Sequence, residues 1–135
     1  MSTLSERDPH GRAASTPGAK LDAGKTRAGL AINGFARALL AVSEVATFGA
    51  RKYTPHGWVA VPDGAERYTD AMYRHLLAEA AGDKLDDDSG LQHAAHAAWC
   101  ALARLDLLLR AQEGAARPAP PEDFGACGNA GRGGV

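Results

Sequence analysis

Between Glu66 and His96 the chain reads ERYTDAMYRHLLAEAAGDKLDDDSGLQHAAH, which holds most of its acid, base and metal-ligand side chains. At 3.6 residues per turn, Glu66, Asp70 and Arg74 fall at i, i+4 and i+8, giving one helix face two carboxylates and a guanidinium. His75 and Glu79 form a second i, i+4 pair, suited to a surface contact. His93 and His96 stand at i and i+3 on a face that continues into Cys100, Ala103 and Leu107, so both imidazoles are expected to point inward. Acids on packed helices can converge in a bundle interior and hold divalent cations through oxygen. Such a hard donor set favours Mg²⁺ or Mn²⁺ over Zn²⁺, ions suited to gripping a polyphosphate and activating water against it. The histidines can be ligands, can orient the acids from outside, or can be satisfied core residues.

Three main helices must position these groups. Asn33 can cap a helix from about Gly34 to Phe48, with Phe35, Leu39, Val42, Val45 and Phe48 at apolar spacing and Gly49 as its stop. Its sole acid, Glu44, either faces solvent or turns into a site opposite Asp70. Asp63 and Glu66 have capping-box spacing and open a second helix that ends near Gly82. A Glu66 carboxylate folded back on that terminus is a weaker ligand than Asp70. Asp86, Asp87 and Asp88 lead into Ser89-x-x-Gln92, a further capping pattern, opening a third helix to about Ala111; acids there suit the helix dipole. Trp99, Leu102, Leu105, Leu107, Leu108 and Leu109 make this helix apolar nearly all round, as in a central or interface helix. The sole strand candidate is a short piece near Trp58 to Val61. The expected fold is therefore an all-α compact bundle of three main helices plus a short or irregular N-terminal segment, and self-association as a homo-oligomer follows from its small core.

Cations and aromatics lie upstream of the acids. GAKLDAGKTRAGL clusters Lys20, Lys25 and Arg27 among glycines; it approaches a P-loop at Gly24, Lys25 and Thr26, but Ala19 replaces the first glycine and no apolar strand precedes it. What remains is either flexible backbone carrying cations to phosphates or a solvated basic linker. The Gly- and Pro-rich link GARKYTPHGWVAVPDGAE gathers Lys52, Tyr53 and Trp58, which can serve a nucleotide's phosphates and base or cover the core.

The 135 residues allow one domain, with 15 Lys+Arg against 16 Asp+Glu excluding a protein dominated by nucleic-acid polymers. Residues 1–17 read as a disordered lead, 18–113 as the helical domain and 114–135 as a disordered Pro/Gly-rich tail. Cys100 and Cys127 read as thiols of a reducing compartment, and no apolar run has the length to span a membrane, so a cytoplasmic location is expected.

GAKLDAGKTRAGL, AVSEVATFGARKYTPHGW and ERYTDAMYRHLLAEAAGDKLDDDSGLQHAAHAAW, in that order, resemble the phage-associated dATP/dGTP diphosphohydrolase family, relatives of the MazG-like all-α nucleoside triphosphate pyrophosphohydrolases. The resemblance spans Gly18 to Arg110. It implies hydrolysis of a purine deoxynucleoside triphosphate between the α- and β-phosphates with Mg²⁺ or Mn²⁺, in an oligomer whose subunits share the site. By the same resemblance Glu44 and Asp70 hold metal, Lys20, Lys25 and Arg27 contact substrate, and so do Lys52 and Tyr53; His93 and His96 fall in the SGL-x-H-x-x-H block. The chain departs from the MazG-like E-x-x-E and E-x-x-D patterns. Thr47 follows Glu44 at i+3, Arg67 precedes Asp70 at i−3, and Glu66 lies one position off. The histidines can supply what the missing acids do not. The assignment is therefore Glu44, Asp70 and His93 for catalysis, Glu44, Glu66, Asp70, His93 and His96 for metal, and Lys20, Lys25, Arg27, Lys52, Tyr53, Trp58 and Arg74 for substrate. The rivals are a His/Asp phosphohydrolase using His75, His93 and Asp70, and a non-catalytic helical nucleotide-binding module.

Overall fold

A computed structural model describes residues 6–116, and contacts divide the chain into two units at residues 1–35 and 36–135. The lead residues 1–5 and the tail from residue 117, with Cys127, lie outside the described residues. In the first unit Asp8 is buried and its carboxylate accepts the backbone N–H of His10 and Arg12 at 2.9 and 2.7 Å. Helix α1 (Ala28–Gly34) comes next, the short N-terminal helix expected from the sequence. Asn33 lies inside it and does not cap the next helix.

The second unit holds α2 (Ala36–Lys52), a 3₁₀ turn at Gly57–Ala60, α3 (Gly64–Ala80) and α4 (His93–Ala116). The described residues contain no strand, so the extended candidate near Trp58 is instead this turn. Gly49 does not stop α2; it is buried, and its carbonyl accepts the Tyr53 N–H at 2.9 Å, carrying the helix onward. A glycine costs a helix about 1 kcal/mol against alanine, too little to end one that tertiary packing supports. Phe35, expected on the apolar face, is exposed.

The core forms where α3 and α4 pack along each other with α2 beside α4. Val45, Tyr68, Ala71, Trp99, Cys100 and Ala103 are its centre, small residues alternating with large ones so that the helices approach closely. Trp99 meets Tyr68 and Trp58 edge to face, with ring centroids 5.4 and 6.1 Å apart. Burial pushes both the Tyr68 hydroxyl and the Cys100 thiol up to about 12. The outer side of α4 is unusual: Leu102, Leu105, Leu108 and Leu109 are all exposed, as are Leu40 on α2 and Leu76 and Leu77 on α3. The all-round apolar reading of α4 thus resolves into one buried face and one face of leucines in solvent.

α3 ends in a Schellman motif. Gly82, at φ 98°, donates to the Glu79 carbonyl and Asp83 donates to that of Ala78, each at 3.0 Å; a left-handed position there suits glycine. The chain then doubles back in a clip rather than opening α4 at Ser89. Asp86 and Leu91 share a 2.8 Å backbone bond, Gly90 donates to the Asp86 carbonyl at 2.7 Å, and His93 donates to that of Lys84 at 2.9 Å. The clip postpones α4 to His93, and α4 continues past Ala111 to Ala116.

Candidate functional site

The clip carries Asp83, Asp86 and Ser89 against three histidines, His75 from α3 and His93 and His96 from the first turn of α4. His93 and His96 point inward as their spacing requires, at 6% and 1% exposure. His75, expected at the surface with Glu79, turns its ring to the other two histidines. It is half-buried, stacks on His96 with centroids 4.6 Å apart and planes 13° from parallel, and brings its Nδ1 to 2.9 Å from His93 Nδ1.

Asp86 anchors the polar side. Burial opposes its charge, but the Ser89 backbone N–H, at 2.9 Å from Oδ2, and the Ser89 hydroxyl outweigh that and hold its carboxyl below the usual range. The hydroxyl also accepts the Leu91 N–H at 3.1 Å and lies 2.6 Å from His96 Nε2. Its single proton goes to the anionic carboxylate, the stronger acceptor, so His96 Nε2 is the donor to Oγ and His96 Nδ1 presents a lone pair. Burial, only partly opposed by Asp86, pushes the His96 imidazolium down and keeps the ring neutral at pH 7. Two ring nitrogens, His96 Nδ1 and His93 Nε2, are buried without a hydrogen bond; the Asp83 carboxylate stands 3.5 Å from the latter. Leaving such groups unsatisfied costs about 1–3 kcal/mol each, which a packed core alone gives no reason to retain.

His75, Asp86 and His93 each offer one ligand atom, and these atoms lie within 4.8 Å of one another. Among the described residues this is the group with metal-ligand geometry, two nitrogens and one oxygen. The spacing of the sequence does not nominate Asp86 as a metal ligand, and it offers His75 only in the His/Asp phosphohydrolase reading, with Asp70 as its acid. Asp86 has the position of a helix-start acid; the signal for its other use is a glycine at the end of α3 with D-x-x-S after it, a cap-like spacing in which the carboxylate takes the N–H three residues on.

The other candidates are placed more openly. Glu44 on α2 and Glu66, Asp70 and Arg74 on α3 are all exposed, and the Asp63 side chain makes no capping bond. Lys20, Lys25 and Arg27 are exposed in the first unit. Lys52, at the end of α2, pairs with Asp88 of the clip, a contact that raises its pKa, and lies 5.4 Å from the Tyr53 ring centroid. Trp58 is half-buried on Trp99, with Arg110 5.6 Å from its ring centroid. No single helix among the described residues is long and apolar enough to cross a membrane.

The family model described as dATP/dGTP diphosphohydrolase, N-terminal, covers residues 15–117 and so takes in the clip, the three histidines and the solvent-facing acids. No curated protein and no solved structure matches the chain.

Proposed function

Because the chain belongs to the dATP/dGTP diphosphohydrolase, N-terminal, family, we propose that it hydrolyses purine deoxynucleoside triphosphates to the monophosphate and pyrophosphate with Mg²⁺ or Mn²⁺. The family match carries this reading, and the His/Asp/His group supports its metal dependence. A bound divalent ion supplies a Lewis acid for the phosphoryl oxygens and lowers the pKa of the attacking water. Glu44, Asp70 and Glu66 would bring carboxylates to one such ion from α2 and α3, and His93 an imidazole to a second from α4. His96, one turn further along α4, stands behind His75 and Asp86. Lys52 and Arg74 neutralise charge that builds on the phosphates and leaving group, while Tyr53 and Trp58 offer ring surface to the base; Lys20, Lys25 and Arg27 are the cations that the first unit offers to substrate. Lys52 would exchange Asp88 for phosphate.

Glu44 and Asp70 become a site when a second subunit covers them, and the outward leucines of α4 give that subunit an apolar surface to bind. The protein therefore acts as a homo-oligomer in the cytoplasm of a bacterium or phage-infected cell, on nucleotides rather than nucleic-acid polymers or membranes. Leu105→Lys with Leu109→Lys should lower the sedimenting mass.

One observation favours a second reading. His75 and His93 with a nearby aspartate are the donors a His/Asp phosphohydrolase would use, releasing tripolyphosphate or phosphate instead of pyrophosphate. Product chromatography after incubation with each deoxynucleoside triphosphate in Mn²⁺, beside Asp70→Ala, separates the two. Purine monophosphate with pyrophosphate, and an inactive Asp70→Ala, is the expected result. Tripolyphosphate or phosphate favours the second reading. Nucleotide that binds but survives in Mn²⁺, Mg²⁺ and Co²⁺ overturns the enzyme and leaves a nucleotide-binding module.

A further inference from the structure

We infer that His75, Asp86 and His93 form a discrete site for one divalent transition-metal ion of the Co²⁺, Mn²⁺ or Zn²⁺ class, separate from the solvent-facing acids, and that His96 positions the site without ligating.

The spacing of the two facing nitrogens carries the first step. His75 Nδ1 and His93 Nδ1 stand 2.9 Å apart. That is the distance of an N–H···N hydrogen bond, so one ring holds a proton between the two nitrogens; an ion at 2.0–2.1 Å that takes the proton's place needs them about 2.9 Å apart at right angles or about 3.3 Å in tetrahedral geometry, a small opening of the pair. Asp86 completes a three-donor group, with its atom and theirs inside 4.8 Å.

The surroundings prepare each donor for that use. His93 turns its other nitrogen, Nε2, toward the Asp83 carboxylate at 3.5 Å, beyond a hydrogen bond as the ring stands, so that Asp83 is an outer carboxylate placed beside the ligand ring. Asp86 is held as an anion by Ser89, through the N–H to Oδ2 at 2.9 Å and the hydroxyl. His96 donates to that same hydroxyl from Nε2, at 2.6 Å, and supports His75 from behind by ring stacking at 4.6 Å. It therefore braces two of the three ligands while its own nitrogens stay out of the group.

Two neutral nitrogens and one carboxylate select ions by softness. Imidazole suits Zn²⁺, Co²⁺ and, less tightly, Mn²⁺, whereas Mg²⁺ prefers oxygen and keeps its water. Three protein ligands leave coordination positions for water or a phosphoryl oxygen. This site shares with the proposed function His93 and the expectation that a divalent ion takes part; Co²⁺ binding is read without nucleotide, so either can fail alone.

The test is a Co²⁺ titration of the metal-free full-length chain, monitored by visible d–d absorption and by calorimetry, with Mg²⁺ as the comparison ion. Saturable binding of one Co²⁺ per chain is expected, with Mg²⁺ at least about 100-fold weaker. His75→Gln, His93→Gln and Asp86→Asn should each weaken Co²⁺ by more than about 100-fold, while Asp83→Asn and Ser89→Ala should weaken it about 10–100-fold, the usual range for outer partners. Glu79→Gln, on the same helix as His75, should bind as the unaltered chain does. Circular dichroism keeps loss of fold apart from loss of a ligand, and His75→Gln, at a half-buried position, is the variant least exposed to that ambiguity. Absence of saturable Co²⁺ binding, or undiminished binding by folded His75→Gln and Asp86→Asn, overturns the site. Co²⁺ binding with no nucleotide turnover sustains the site and removes the proposed function; turnover in Mg²⁺ with no Co²⁺ binding does the reverse.

Discussion

On the outer faces of α2 and α3, Glu44, Glu66 and Asp70 all stand in solvent, so these carboxylates are free to change rotamer. At the far end of the α3–α4 pair, His75, Asp86 and His93 are drawn within 4.8 Å of one another and each is held by a second side chain or a backbone turn. The first region has the charge a metal site needs without the preorganisation; the second has the preorganisation with a single negative ligand. Preorganisation costs stability elsewhere, in buried nitrogens left without a hydrogen bond, and that cost distinguishes a built site from a charged face.

The sharpest way to set the regions against each other is turnover. Asp86→Asn should lower pyrophosphate release by at least about 100-fold, about 2.7 kcal/mol in the barrier. Full activity in that variant, with loss only in Glu44→Ala and Asp70→Ala, would move the chemistry entirely to the outer acids.

Stability gives the next contrast. His96→Ala removes a fully buried ring and should cost about 2–4 kcal/mol in denaturant unfolding, whereas Glu66→Ala should stay within about 0.5 kcal/mol. Equal costs would mean that the histidine cluster is no better packed than the surface.

A third expectation concerns the core behind the cluster. The Cys100 thiol rises from an ordinary 9.0, and the Tyr68 hydroxyl from 10.0, each to about 12. The folded chain therefore keeps protons that the unfolded chain gives up, so stability is complete below about pH 9 and drains as pH climbs toward 12. Guanidinium midpoints should fall between about pH 9 and 11, and Cys100→Ala should flatten the early part of that fall. The smallest effect is at the rim, where breaking the exposed Lys52–Asp88 pair with Asp88→Asn should change stability by about 0.5 kcal/mol or less while raising phosphate affinity at Lys52.

The helices are legible in the sequence because their apolar periods are strong. α3 lies within two residues of its expected ends, since Gly82 is a direct statement about backbone shape. The inward turn of His93 and His96 is legible for the same reason: a helix face shared with Cys100 and Ala103 has one direction to go. Spacing does not supply which neighbours meet. His75 satisfies a pairing with Glu79 and a stacking on His96 equally well as a position on a helix, and only the packing of α3 on α4 chooses between them. The helix start expected at Ser89 fails for a related reason: the Ser89 hydroxyl takes the Leu91 N–H two residues on, as in a turn, in place of the N–H three residues on that a capping box uses, and the residue types suit both. The stop expected at Gly49 fails because a buried glycine inside α2 is a packing choice that local propensity does not contain.

The clip has a consequence for the order in which the molecule assembles. His75 and His93 are separated by 18 positions, and a hairpin of two consecutive helices joined by a short, hydrogen-bonded turn brings them together. Contacts so close along the chain close cheaply and belong to the early part of folding. An ion held there is then already bound in the transition state. Co²⁺ should accordingly speed refolding and leave the unfolding limb of the chevron nearly fixed, making the ion a nucleus for the fold as well as its guest.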